Sequence, residues 1–354
     1  MGRDFKPTGM ATDLQQIWSN RGVIAHLLLP VMAVYRVLFA ARRFLYWVGL
    51  QRTRRVGIPV VVVGSVMVGG TGKTPTTIGV VRHLKERGLS VGVVSRGYGR
   101  RADGCRTVTD QSIPEDVGDE PLLIHRATNA PVMVASNRFE AATSLLTQHP
   151  GLDVLVCDDG LQHLGLYRDV EICVFDDRGL GNGWLLPAGP LRESWPREML
   201  AGVGQSAATT IVLNTGKSPG IPGYAATRTL DAYAIARDGS RRPLSGQALG
   251  NAKPFYAVAG IAQPAAFFEM LRGQNIKLAG ELGLADHDDF ARLDPAILRK
   301  YTLLCTEKDA IKLWKLAPDA LAVPLHQAIE PAFFEALDRL LAPQLRAKLS
   351  SPNG

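Results

Sequence analysis

Short, nearly unbroken apolar runs alternate with stretches of helical period through the middle of the chain. Pro59–Val63, Val91–Ser95, Pro131–Ala135, Asp153–Cys157, Glu171–Phe175 and Thr210–Leu213 read as strands, and Thr74–Arg87 reads as a helix. A strand buried on both faces needs no polar alternation, so these runs predict a mainly parallel sheet with helices on both faces, an α/β fold. A second alternating set begins near Pro254. Phe255–Ala259 and Tyr301–Cys305 read as strands, Pro264–Arg272 as a helix opened by proline, and Pro331–Leu341 as a closing helix. Lys217–Gly223, rich in Gly, Pro and Ser, separates the two sets.

The N-terminal part follows a different pattern. From Arg21 to Arg55 there are seven arginines and no acidic residue, interleaved with Leu27-Leu28-Leu29, Val37-Leu38-Phe39 and Phe44-Leu45-Tyr46-Trp47. A spanning helix needs about 20 mostly apolar residues. The longest run here without Lys, Arg, Asp or Glu is Gly22 to Tyr35, and Arg36, Arg42 and Arg43 interrupt the rest. Apolar rings alternating with arginines fit a helix lying in a lipid interface, or one packed on the protein with solvated arginines. The first reading is preferred.

Composition adds limits. The 354 residues are 46% hydrophobic and 21% charged, an ordinary globular balance with length for two domains. Cys105, Cys157, Cys173 and Cys305 are scattered and form no CxxC pair, which argues against a disulfide framework or a zinc site. The net charge of +7 raises the question of nucleic acid. No nucleic-acid-binding motif accompanies it, and the basic cluster is threaded with leucines.

The strongest chemical signal follows the first strand. Val60–Val63 leads into Gly69-Gly70-Thr71-Gly72-Lys73-Thr74 and then a helix. This is the strand–loop–helix arrangement of a phosphate loop. Glycines turn backbone N–H groups toward phosphates, Lys73 would reach the β- and γ-phosphates, and Thr74 would offer a hydroxyl to Mg²⁺. The match is partial, because Met67 stands where the first glycine of the motif belongs. Membrane-recruited ATPases of the division-positioning type carry a lysine before this loop, and that position is Val68. A nucleotide-driven switch or metallochaperone remains the alternative on the loop alone, although no Cys or His pair supports a metallochaperone.

Asp158-Asp159-Gly160-Leu161-Gln162-His163 stands at the end of another strand, where a second metal-associated motif belongs. Alone it reads equally as a turn. Further segments are Ser95-Arg96-Gly97-Tyr98-Gly99, Gly118-Asp119-Glu120-Pro121, Leu186-Pro187-Ala188-Gly189-Pro190-Leu191-Arg192-Glu193, Asp286-His287 and Thr306-Glu307-Lys308-Asp309. On these segments, in this order, the chain resembles the tetraacyldisaccharide 4′-kinase family of lipid A biosynthesis over nearly its whole length.

The resemblance implies transfer of the γ-phosphate of ATP, with Mg²⁺, to the 4′-hydroxyl of a tetraacylated disaccharide 1-phosphate, giving lipid IVA. It implies work at the cytoplasmic face of the inner membrane, on an anionic lipid surface, with no protein partner and no nucleic acid. Asp119 corresponds to the catalytic carboxylate; without the family it reads as a helix cap. Asp158 and Asp159 correspond to the metal-associated pair, with Thr74, and their division of roles stays open. Arg192 and His287 correspond to further active-site residues. Arg96 and Tyr98, extended by Arg100, correspond to the substrate side. Gly69–Thr74 together with Glu307, Lys308 and Asp309 would hold the nucleotide. The expected organisation is a membrane-associated helical segment at 1–55, a phosphate-loop kinase domain at 56–220 and a smaller α/β domain at 221–354 that contributes to the nucleotide and active sites.

Overall fold

The computed structural model describes residues 17–197, 210–217, 220–244 and 253–349. The first sixteen residues of the expected N-terminal segment, and Ser218 and Pro219 of the expected boundary, lie outside these. The chain divides into two compact units. The larger takes in the described residues up to Thr227 and those from Gln327 onward, and the smaller runs from Arg228 to His326. The closing helix Pro331–Leu349, expected within a 221–354 domain, therefore belongs to the larger unit. Gln327 shows the return, since its Nε2 donates to Thr76 Oγ1 at 2.8 Å.

The larger unit is built on a nine-stranded sheet of order β15-β8-β7-β6-β1-β5-β2-β4-β3. Its strands are β1 (Val60–Gly64), β2 (Val91–Ser95), β3 (Arg106–Val108), β4 (Val132–Val134), β5 (Val154–Asp158), β6 (Val170–Phe175), β7 (Thr210–Asn214), β8 (Tyr224–Leu230) and β15 (Leu325–Ile329). From β8 through β4 neighbouring strands pair in parallel, and β3 closes that edge antiparallel. β1 sits centrally with all five residues buried, as its valine run requires. The register pairs Val63 with Asp158. The acidic end of β5 therefore lies beside the strand end that feeds the phosphate loop, at the carboxyl edge where open α/β sheets bind ligands.

Helices Lys73–Glu86, Asp119–Thr128 and Arg138–Gln148 pack on this sheet through buried faces that include Val80, Val81 and Leu84 of the first. The N-terminal helix Leu29–Trp47 has no buried residue, and Val31, Val34, Val37, Leu38, Phe44 and Trp47 are exposed. Among the described residues no helix is long and apolar enough to cross a membrane.

The smaller unit carries a six-stranded sheet of order β10-β9-β14-β13-β11-β12. These strands are β9 (Tyr233–Ile235), β10 (Arg241–Pro243), β11 (Phe255–Ala259), β12 (Leu278–Gly283), β13 (Thr302–Thr306) and β14 (Leu321–Val323). β12, β11, β13 and β14 run parallel, with β9 and β10 antiparallel at the edge.

Candidate active site

The phosphate loop forms as its glycines demand. Gly69 and Gly72 have φ of 98° and 92°, and Gly72 caps the helix that begins at Lys73. A residue with a Cβ would be strained at these angles. Lys73 Nζ curls back to the Gly69 carbonyl at 3.3 Å and lies 3.9 Å from Asp159 Oδ1. Met67 is fully buried in the core and forms a bridge with Leu191, while the Val68 amide donates to the Pro190 carbonyl at 2.9 Å. Where the motif has its first glycine, this chain thus anchors the loop on the Leu186–Glu193 segment.

Two supports of the loop carried no sequence signal. Arg178 Nη1 donates to the Val68 carbonyl at 3.2 Å while its Nε and Nη2 bond Asp176. Thr215, just after β7, donates its hydroxyl to the Thr71 carbonyl at 2.8 Å. Each acts through a backbone carbonyl, a partner that no residue spacing reveals.

The two adjacent carboxylates occupy different surroundings. Asp158 is buried, its Oδ1 accepting from Thr77 Oγ1 at 2.9 Å and its Oδ2 from Ser95 Oγ at 3.3 Å. Burial, then the charges of Asp159 and Glu120, push its pKa up to about 6. Asp159 has a left-handed φ of 46°, which Asp tolerates better than most residues. Arg192 Nη1 reaches its two oxygens at 3.1 and 3.3 Å. Desolvation works to raise the Asp159 pKa, but Lys73, Arg192 and Arg138 together hold it below the ordinary value.

Arg192 is itself held by a chain of contacts. Gln162 Oε1 accepts from it at 3.3 Å, and Gln162 Nε2 donates to Glu193 Oε1 at 2.8 Å. Glu193 pairs with Arg197 at 3.1 Å, Arg197 with Glu171, and Glu171 with the fully buried Arg168 at 3.2 Å. Arg168 also donates to the carbonyls of Gly160, Leu161, His163 and Leu166. The charges alternate in sign, so none of these buried ions lacks compensation. His163 accepts from the Arg138 amide at 3.3 Å. Burial first, then Arg138 and Arg168, lower its pKa to about 4, which leaves it neutral at pH 7.

The Ser95–Gly99 and Gly118–Pro121 segments meet. A Cβ on Gly97 would lie 2.6 Å from the Val117 carbonyl, and one on Gly118 would lie 3.0 Å from Gly97 Cα. Gly118, at φ 91°, holds the cap position, so Asp119 is the first helical residue rather than the cap. It is buried there, at the positive end of the helix dipole. Arg96 and Tyr98 are exposed, and Arg100 Nη1 donates to the Val134 carbonyl at 3.4 Å.

The structure thus gathers the loop, Asp158, Asp159 and Arg192 around the ends of β1 and β5, and joins the segments of Arg96 and Asp119 to each other. His287, Glu307, Lys308 and Asp309 lie in the smaller unit. There Lys308 Nζ is 3.0 Å from Asp286 Oδ1 and 3.3 Å from His287 Nε2, with His287 at φ 65°. Asp309 is buried, its Oδ2 accepting from the Gly260 amide at 3.1 Å and Thr306 Oγ1 at 2.8 Å. Glu307 Oε2 accepts from the Leu325 amide at 3.3 Å.

A parallel sheet with a lysine-bearing phosphate loop and an acidic strand end beside it defines a phosphate-loop nucleotide-binding protein. Comparison with known proteins gives the particular family. Residues 24–342 match the tetraacyldisaccharide-1-P 4′-kinase family, and the chain belongs to it. It is similar to the tetraacyldisaccharide 4′-kinase of Acidovorax ebreus (strain TPSY), with 50% identity over 97% of this chain and 98% of that one. The enzyme of the same name from Polaromonas naphthalenivorans (strain CJ2) is 49% identical over 96% and 98%. Among solved structures, the "apo" form of LpxK from Aquifex aeolicus in complex with ATP superposes with a TM-score of 0.72 at 25% identity, covering 91% of this chain and all of that one.

Proposed function

We propose that this chain carries out the family's reaction, transfer of the γ-phosphoryl group of ATP to the 4′-hydroxyl of a tetraacyldisaccharide 1-phosphate, at the carboxyl edge of the larger sheet. The observation that carries this is the fixed pair of Arg192 and Asp159 beside Lys73 of the phosphate loop, in a chain of this family.

The sugar oxygen forms a bond to the γ-phosphorus as the bond to the β,γ-bridging oxygen breaks and ADP departs. Asp119 takes the hydroxyl proton late in this step, when the oxygen has become acidic. Lys73 and Arg192 offset charge on the transferred group, and the amides of Gly69–Thr74 cradle the phosphates. Arg96, Tyr98 and Arg100 form the sugar side.

Mg²⁺ fits the donor set. Asp158, Asp159 and the Thr74 hydroxyl are hard oxygen donors, too few to fill an octahedral shell, as is usual where phosphates and water complete it. When bound, the ion would neutralise charge between the β- and γ-phosphates. Among the described residues there is no group of three His, Cys, Asp or Glu side chains that could hold a metal ion by themselves.

A substrate with four acyl chains stays in the bilayer, since each buried CH₂ contributes about 0.8 kcal/mol. The exposed apolar residues of Val23–Leu27 and Leu29–Trp47, with Arg36, Arg42 and Arg43, suit peripheral attachment to an anionic surface, the cytoplasmic face of the inner membrane. The test is incubation with ATP, Mg²⁺ and the tetraacyl disaccharide 1-phosphate in detergent, with mass analysis for the 4′-phosphorylated product. ATP hydrolysis that ignores the lipid, with no product, refutes the proposal.

A further inference from the structure

Tyr35 belongs to no motif, yet it joins the exposed N-terminal helix to the Arg192–Asp159 pair. Its phenol donates to the Arg192 carbonyl at 2.7 Å, across 157 positions of sequence. The Arg192 amide donates to the Val66 carbonyl at 2.7 Å. The backbone of Arg192 is therefore gripped on one side by the chain entering the phosphate loop and on the other by the helix. Its side chain then reaches both oxygens of Asp159.

The rest of this segment is tied to the chain just ahead of the helix. Trp18 Nε1 donates to the Pro187 carbonyl at 2.9 Å, Arg21 Nε to the Asn182 carbonyl at 3.0 Å, and Asn182 Nδ2 to the Asn20 carbonyl at 3.2 Å. The Trp184 ring meets His26 edge-on at 5.0 Å and lies under Arg21 at 5.1 Å. Packing alone accounts for the ring of Tyr35, which stacks on Phe39 at 6.3 Å, but a phenylalanine would stack as well. The hydroxyl is what packing leaves unexplained. Desolvation above all raises its pKa, so the phenol stays protonated and remains a donor.

We propose that Tyr35 is a positioning residue for phosphoryl transfer, tying the seat of the amphipathic helix to the placement of Arg192 beside Asp159. The inference rests on the assignment of Arg192 and Asp159 to the transfer site. It makes the lipid-facing helix part of the catalytic framework rather than a detachable anchor.

Full-length Tyr35→Phe, Arg192→Ala and the double variant separate the possibilities. kcat and KM are measured with the tetraacyl disaccharide 1-phosphate in mixed micelles, and partitioning with phosphatidylglycerol vesicles. Tyr35→Phe should lower kcat about fivefold, the worth of one hydrogen bond, with KM for ATP and vesicle partitioning unchanged. In the Arg192→Ala background the same change should cost nothing further. Wild-type kcat in Tyr35→Phe, a fivefold loss that persists without the Arg192 side chain, or a loss that tracks vesicle binding overturns the proposal and leaves the Arg192 assignment standing. Wild-type turnover in Arg192→Ala removes that assignment, and the proposal with it.

Discussion

Replacing Asp158 by Asn should make the protein more stable and inactive. Asn keeps the shape and can still exchange hydrogen bonds with Thr77 and Ser95, so the change removes charge and little else. Burial and neighbouring carboxylates raise the folded-state pKa of Asp158 from 3.8 to about 6. A shift of this size means that holding the ionised group in place costs the fold roughly 3 kcal/mol at neutral pH. The sign follows from proton uptake. Between the two pKa values the folded chain binds a proton that the unfolded chain does not, so wild-type stability recovers as pH falls from about 6 toward 4. The advantage of Asp158→Asn is therefore full at pH 8 and gone below pH 4. At about 2–4 °C per kcal/mol, the melting temperature should rise by roughly 6–12 °C at pH 8. Calorimetry at pH 8, 6 and 4.5, beside a product assay, checks both halves. A variant less stable than wild type at pH 8, or an advantage that does not shrink on acidification, refutes the reasoning.

Asp119→Asn should lower kcat at least a hundredfold while nucleotide affinity, read by titration with a fluorescent ATP analogue, stays within about twofold; an equal loss of affinity would make Asp119 structural. Arg36→Ala with Arg43→Ala should weaken binding to phosphatidylglycerol vesicles at least tenfold, at about 1 kcal/mol per arginine. That difference should largely vanish in 0.5 M salt, and equal partitioning of the two proteins at low salt would contradict the lipid-surface reading.

The legible part of the fold was the part buried on both faces. β1, β2, β5 and β6 are fully buried, and their unbroken apolar runs mark them within a residue or so. β8 and β12 are half exposed, β10 is wholly exposed, and β9 and β14 are three residues long, so their sequences carry no comparable run. The return of Gln327 to the larger unit is a matter of topology, which periodicity cannot report. Thr306-Glu307-Lys308-Asp309 has a structural use that its motif does not announce. Thr306 accepts from the Asp309 amide and Asp309 from the Thr306 hydroxyl, so the same four residues cap the helix Glu307–Leu316. Met67 went the other way: a departure from the motif became intelligible once its side chain lay in the core and its neighbour bonded the Leu186–Glu193 segment.

Spacing alone left Asp158 and Asp159 interchangeable, and their surroundings separate them. Two carboxylates side by side repel, and environments that push their pKa values apart let them do different work. The left-handed turn at Asp159 aims its side chain toward Lys73 and Arg192, where it stays ionised. Asp158 remains behind, bonded to two hydroxyls, with its charge closer to the threshold. Cation binding nearby would favour its ionised form, so its titration should move to lower pH when nucleotide and Mg²⁺ are present. Asp159 needs no such help, because Arg192 is already fixed by Gln162, and through Glu193, Arg197 and Glu171 by the buried Arg168. The ion chain that looks like core structure is thus the support of the Arg192–Asp159 contact. It explains why the sequence places so many charges in the interior behind Asp158–His163.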